Sequence, residues 1–325
     1  MTRYSILRIA AASILIAPAL CQLPTPAALP RTPDGHPDLQ GVWTSATIVP
    51  LERLARLRDK EFYTEQEAAE YARKMLGRST WERLGAQAPE HYNMSQYGLD
   101  LGQEKLALSL RTSMIVGPEG RIPPLTPDAQ KRIADRTARN RGHQFDSYEN
   151  RPLQERCLLY ASEGPPMTPW TFNSNLQIIQ EPAHVAIVQE MIHSARIIPT
   201  DGSRHLPANI RQWMGDSRGH WEGETLVVDT TNFTDKTSFH GSTAGLHVVE
   251  RFTLFDSDTI VYRFTVDDPA TWVHPWTAEL RFARIASGRI FEFACHEGNL
   301  GLANTLSGAR AREKAAEEAT RKESK

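Results

Sequence analysis

Three residues in β-patterned stretches of this chain carry equipment for moving a proton: His193, Glu250 and Tyr262. Imidazole, carboxylate and phenol around an apolar cavity suit proton abstraction, elimination or hydrolysis. In that scheme His193 is the base and Tyr262 the acid. Glu250 orients His193 or raises its pKa. Arg111 or Arg211 holds an anionic group of the substrate. The expectation is an enzyme of lyase or hydrolase type acting on a carbohydrate or other small organic compound. The alternative is a non-catalytic, small-molecule-binding β-barrel. An envelope structural protein is a third reading.

The elements that would position these groups show in the alternation of side chains, because alternate residues of a strand share a face. In 246–254 one face reads Leu246, Val248, Glu250, Phe252 and Leu254, and the other His247, Val249, Arg251 and Thr253. In 259–268 the apolar face is Ile260, Tyr262, Phe264 and Val266, ending at Asp268. In 276–284 it is Trp276, Ala278, Leu280 and Phe282. A lone carboxylate on such a face is costly unless paired. Glu250 is therefore either the partner of a buried Arg or His, or a tuned acid/base. The run 185–199 reads as one long strand covered on both faces. Glu190 and Arg196 share one of its faces, Gln189 and His193 the other.

The stretch RQWMGDSRGHWEGETLVVD, Arg211 to Asp229, sets Arg211, Trp213, Asp216, His220 and Trp221 around three glycines. Turn chemistry accounts for the glycines, with Glu222-Gly223 as a hairpin turn. Aromatic and arginine side chains near a loop tip also suit a binding site. These five join Arg111, Glu190, Arg196, His247, Asp268, Trp276 and His296 as candidate substrate-binding residues.

Strands are expected at 176–181, 185–199, 225–231, 246–254, 259–267, 276–284 and 289–297, separated by short turns. Such spacing indicates an antiparallel β-barrel, lipocalin-like, or a sandwich, with an N-terminal helical segment. Thr64 with Glu67 three residues on is a capping box, and Gly77 a stop. Thr126-Pro127 opens a second helix reaching about Asn140. Arg111 to Ile122 reads as a hairpin turning at Pro118-Glu-Gly120. The domain plan is a signal peptide over 1–21, a linker over 22–40 with five prolines, a helical and hairpin segment over 41–150, a barrel over 151–305 and a charged tail over 306–325.

Several function classes lose their best evidence. There is no G-x-S-x-G, H-E-x-x-H, Walker A or G-x-G-x-x-G motif. A net charge of -2 over 325 residues argues against a nucleic-acid partner. The histidines are scattered, and neither a metal nor a cofactor is expected. Arg3 and Arg8 precede the apolar run IAAASILIAPAL, which has signal-peptide length and is too short to span a bilayer. Export to the periplasm or the medium follows, with no integral membrane segment after signal removal. A lipid anchor at Cys21 is disfavoured by Leu20 before it. In an oxidising compartment Cys157 and Cys295 either pair or remain as buried thiols.

Taken in order, Pro33–Trp43 (PDGHPDLQGVW), Arg111–Val116, Gly120–Thr126, Glu190–Arg196, Arg211–Asp229 and Ala294–Asn299 (ACHEGN) resemble a poorly characterised family of exported bacterial proteins. The resemblance covers most of the mature chain and brings no catalytic residues with it. Gly41-Val-Trp43 at the head of a first strand, with the strand meander, is also similar to lipocalin-like barrels. The long helical region before the barrel departs from them.

Overall fold

The computed structural model describes residues 29–76, 105–117, 119–160, 162–169, 173–286 and 288–324, without the side chain of His193. The expected signal, Cys21 and Gly77 lie outside the described residues.

Both expected helix starts form through their caps. At α1 (Glu65–Leu76) the Thr64 N–H donates to Glu67 Oε2 at 2.8 Å, and the Glu67 N–H donates to Thr64 Oγ1 at 3.2 Å. At α2 (Pro127–Asn140) Thr126 Oγ1 accepts from the Ala129 N–H, and Pro127 takes the first position, where its missing N–H costs nothing. The charged tail is part of a third helix, α3 (Leu300–Glu323), almost entirely exposed.

Nine strands form one antiparallel sheet: β1 (Gly41–Thr44), β2 (Asn175–Glu181), β3 (His184–Gln189), β4 (Ala195–Pro199), β5 (Asp216–Glu222), β6 (Thr225–Thr231), β7 (His247–Asp256), β8 (Thr259–Asp267) and β9 (Trp276–Arg284). Their order is β4-β3-β2-β1-β9-β8-β7-β6-β5, so β1 joins a first meander to a second. The sheet curls until β4 and β5 meet, and it is nearly closed into a barrel. Among the described residues no backbone ladder crosses that seam. Side chains cross it instead: Arg196 Nη2 donates to Ser217 Oγ at 3.4 Å. Gly219 permits the approach, because a Cβ there would stand 2.9 Å from Thr200 and 3.1 Å from Ile198.

The expected inward faces of β7, β8 and β9 fill the barrel. Phe252, Tyr262, Phe264 and Phe282 are fully buried, with Tyr262 4.9 Å from the rings of both Phe252 and Phe282. Burying each phenylalanine contributes about 1.5–3 kcal/mol. The outward faces carry cross-strand pairs such as Arg263–Glu279 and Arg251–Glu222. Trp43 of β1 anchors the join, donating Nε1–H to Leu39 O at 2.9 Å beneath the Arg284 guanidinium.

Three expectations are corrected. The run 185–199 is two strands, β3 and β4, broken by a tight turn at Met191–His193 in which Ile192 is left-handed, with φ 57°. His193 therefore does not share a strand face with Gln189. The stretch 289–297 forms no strand; the Phe291 N–H is drawn to Glu190 Oε2 at 3.1 Å instead. The expected hairpin over 111–122, whose turn residue Pro118 lies outside the described residues, shows no pairing between its arms among the described ones. The Met114 and Ile115 N–H groups reach the carbonyls of Pro50 and Leu51, and Ile115 bridges to Ala278.

Candidate functional site

Inside the barrel, Glu250 meets the arginine that its position on an apolar face demands. Arg196 Nη1 and Nη2 donate to its two oxygens at 3.1 and 2.5 Å, and the Tyr262 hydroxyl donates to Oε1 at 2.7 Å. Glu250 and Tyr262 are fully buried and Arg196 is 5% exposed. Burial would lower the Arg196 pKa, but Glu250 overcomes this and holds it raised. Burial, and then Glu250, push the Tyr262 hydroxyl well above its ordinary 10.0. This is a buried ion pair, with Glu250 and Tyr262 in the packed core and Arg196 at its edge. The side chain of His193 is outside the described residues, so only two of the three proton-transfer candidates are seen together.

The Tyr262 oxygen also accepts from the Met167 N–H at 3.0 Å, and this contact leads out of the barrel to an open cleft. The cleft holds about 330 Å³ between two loops, 153–168 and 233–246. Trp213, Phe239, Phe233, Tyr160 and Pro166 supply apolar surface. Gln154, Thr168, Thr237, Ser238 and His240 supply polar atoms, and no Asp, Glu, Lys or Arg lines it among the described residues.

Each wall is held from behind. The 153–168 loop is tied by the Cys157–Cys295 disulfide and by fully buried Glu163. Glu163 accepts from the Tyr160 N–H at 2.6 Å and from the Ser194 hydroxyl at 2.8 Å. The opposite loop is held by Arg211, whose Nη1 donates to Phe233 O at 2.9 Å and Ala244 O at 2.6 Å. Asp268 accepts from the Thr243 N–H at 2.6 Å and from the Thr271 hydroxyl at 2.7 Å. Trp276 lies beneath, 5.9 Å from Phe239 and stacked on it.

His240 sits at the rim with φ 48°, in a turn closed by the Phe239 N–H donating to Ser242 Oγ at 2.9 Å. Its ring stands edge-on to Phe239 at 4.6 Å and to Trp276 at 6.4 Å. Desolvation against these rings lowers its pKa from the ordinary 6.5, opposed by the charge of Glu52.

Other expected site residues lie elsewhere. Arg111 is buried, donating to Ser113 O and Ile115 O and pairing with Glu61. Glu190 accepts from Asn173, Asn175 and the Phe291 N–H. Asp216, with Arg218, and His247 belong to an outer-face chain. In it His205 contacts Asp216 at 2.9 Å and Asp229 at 2.8 Å, and His247 contacts Asp229 at 2.6 Å. His220 pairs with Glu222 on the surface, Trp221 stacks on His36 at 4.4 Å, and His296 is exposed. Among the described residues, only Trp213 of those expected lines this cleft. It also borders a second cleft of about 440 Å³ at the seam, with Arg196, Asp216 and Arg218. The residues missed from the sequence are Gln154, Tyr160, Phe239 and His240. Their signals were Gly164-Pro-Pro166 and Ser238-Phe-His-Gly241, two loops punctuated by turn formers.

Family models and curated proteins were compared with the chain, and none matches.

Proposed function

We propose that the protein is an exported small-molecule-binding β-barrel. Its cleft takes an uncharged organic compound with an apolar or aromatic face and one or two hydrogen-bonding groups. The observation that carries this reading is the cleft lining: four aromatic side chains, a few polar ones and no formal charge among the described residues. Binding sites for small molecules have this composition and size. Phe252, Tyr262, Phe264 and Phe282 fill the barrel interior. Glu250 and Tyr262 are best read as support for the cleft wall through Met167. The disulfide and the apolar N-terminal run both favour an oxidising compartment outside the cytoplasm.

The test is a fluorescence titration with N-phenyl-1-naphthylamine, a neutral aromatic probe. Native protein binds it, and Trp213→Ala weakens binding about tenfold or more, ~1.4 kcal/mol. Equal affinity in Trp213→Ala and Phe239→Ala places the probe elsewhere and ends this reading.

A further inference from the structure

His240 combines three properties that a bystander at a loop rim does not need. Its backbone is left-handed at φ 48°, which a histidine adopts uncommonly and which recurs at functional sites. Its ring packs against Phe239 and Trp276 inside the rim of an uncharged cleft. No hydrogen bond to either of its ring nitrogens is found among the described residues, and one side of the residue is open to solvent. Gln154 lines the same cleft, and no hydrogen bond to its side-chain amide is found among the described residues. One cleft is thus bordered by a residue with a basic nitrogen and a residue with an amide donor.

We infer that the cleft is also a hydrolytic site, in which His240 activates water against the carbonyl of an uncharged ester seated on Trp213 and Phe239. This rests on the binding reading above. A ring nitrogen of His240 accepts a proton from water as the water oxygen forms a bond to the carbonyl carbon. The carbonyl electrons move to oxygen, where the Gln154 amide donates. The intermediate collapses, the ester C–O bond breaks, and the alcohol or phenol leaves with its electron pair. The proton on His240 passes to the leaving group or to solvent, so the residue is restored. Elimination fits less well, since among the described residues no Lys or Arg lines the cleft to stabilise a carbanion. Among the described residues, Glu52 acts on the imidazole with a charge that favours protonation, and Arg132 donates to the neighbouring Gly241 O at 3.2 Å. Tyr160 lines the opposite wall.

The experiment uses the full chain and p-nitrophenyl acetate, a neutral aryl ester, with N-phenyl-1-naphthylamine binding measured in parallel. His240→Asn is the chosen variant, because asparagine tolerates the left-handed backbone. The native protein hydrolyses the ester above background, and the catalysed rate rises with pH through a midpoint below the ordinary histidine value of 6.5. His240→Asn loses roughly a hundredfold of that rate, the scale of general-base catalysis, while still binding the naphthylamine. His143→Asn, at an exposed surface pair with Asp146, leaves the rate unchanged. Retained hydrolysis in a folded His240→Asn, or a native rate no faster than background, overturns the catalytic inference while probe binding leaves the cleft intact. Loss of probe binding in the native protein overturns both.

Discussion

Replacing Arg196 by methionine removes a buried cation while keeping most of the side-chain volume. Glu250, fully buried, then loses the donors at 3.1 and 2.5 Å and keeps only the Tyr262 hydroxyl. Removing one partner of a buried pair costs about 3–5 kcal/mol. The expected result in urea unfolding, followed by tryptophan fluorescence, is a loss of about 3–5 kcal/mol. Arg196→Met/Glu250→Leu recovers most of it, since a well-packed apolar replacement of a buried pair is often neutral. A double variant no better than the single one would refute the claim that charge drives the effect.

The disulfide joins residues 138 apart, for which the chain-entropy relation gives about 5 kcal/mol. Cys157→Ser/Cys295→Ser is expected to lose about 2–5 kcal/mol in urea and to become protease-sensitive first within 153–168; an unchanged midpoint counts against this. On the outer face, Asp229 and His247 couple at 2.6 Å, each about a third or more exposed. Burial pushes the Asp229 carboxyl up, but His247 and His205 outweigh it and hold it low, while the hydrogen bond that His247 donates to Asp229 raises His247. The His247 contribution is full below its ordinary 6.5 and fades as pH rises through its raised pKa. The Asp229 contribution is present above its ordinary 3.8 and fades as pH falls through its lowered pKa. His247→Gln therefore costs most between about pH 4 and 6.5, under about 1 kcal/mol after solvent screening. A cost that grows above pH 8 would contradict the assignment.

Much of the scaffold was legible before any coordinates. The capping box at Thr64 and Glu67, the Thr126-Pro127 start and the alternation in β7, β8 and β9 rest on local rules, and local rules held. Glu250 on an apolar face read as the partner of a buried Arg or His or as a tuned acid/base, and the structure pairs it with Arg196. The break in 185–199 was not legible, because an apolar run has no period to interrupt. It depends on tertiary partners of Glu190 and on a left-handed Ile192. The polar stretch of β5 reads as a turn until β6 pairs with it along its whole length. The cleft was the least visible feature. Its residues come from three separated segments, 153–168, 213 and 233–246, none of them periodic. The expected site residues Arg211, Asp268, Glu250 and Tyr262 turned out to brace its walls.

The seam between β4 and β5 has a dynamic consequence. A barrel closed by ladders all round opens only by unfolding, whereas this one has a line along which it can breathe. The contacts to be broken there are Arg196 to Ser217 and the methyl contacts that Gly219 allows. The segment 211–218 enters β5 at that line and carries Trp213, which faces both clefts. A ligand resting on Trp213 would hold the same segment that closes the barrel. Occupancy and closure would then be two readings of one equilibrium, each reinforcing the other by an equal free energy.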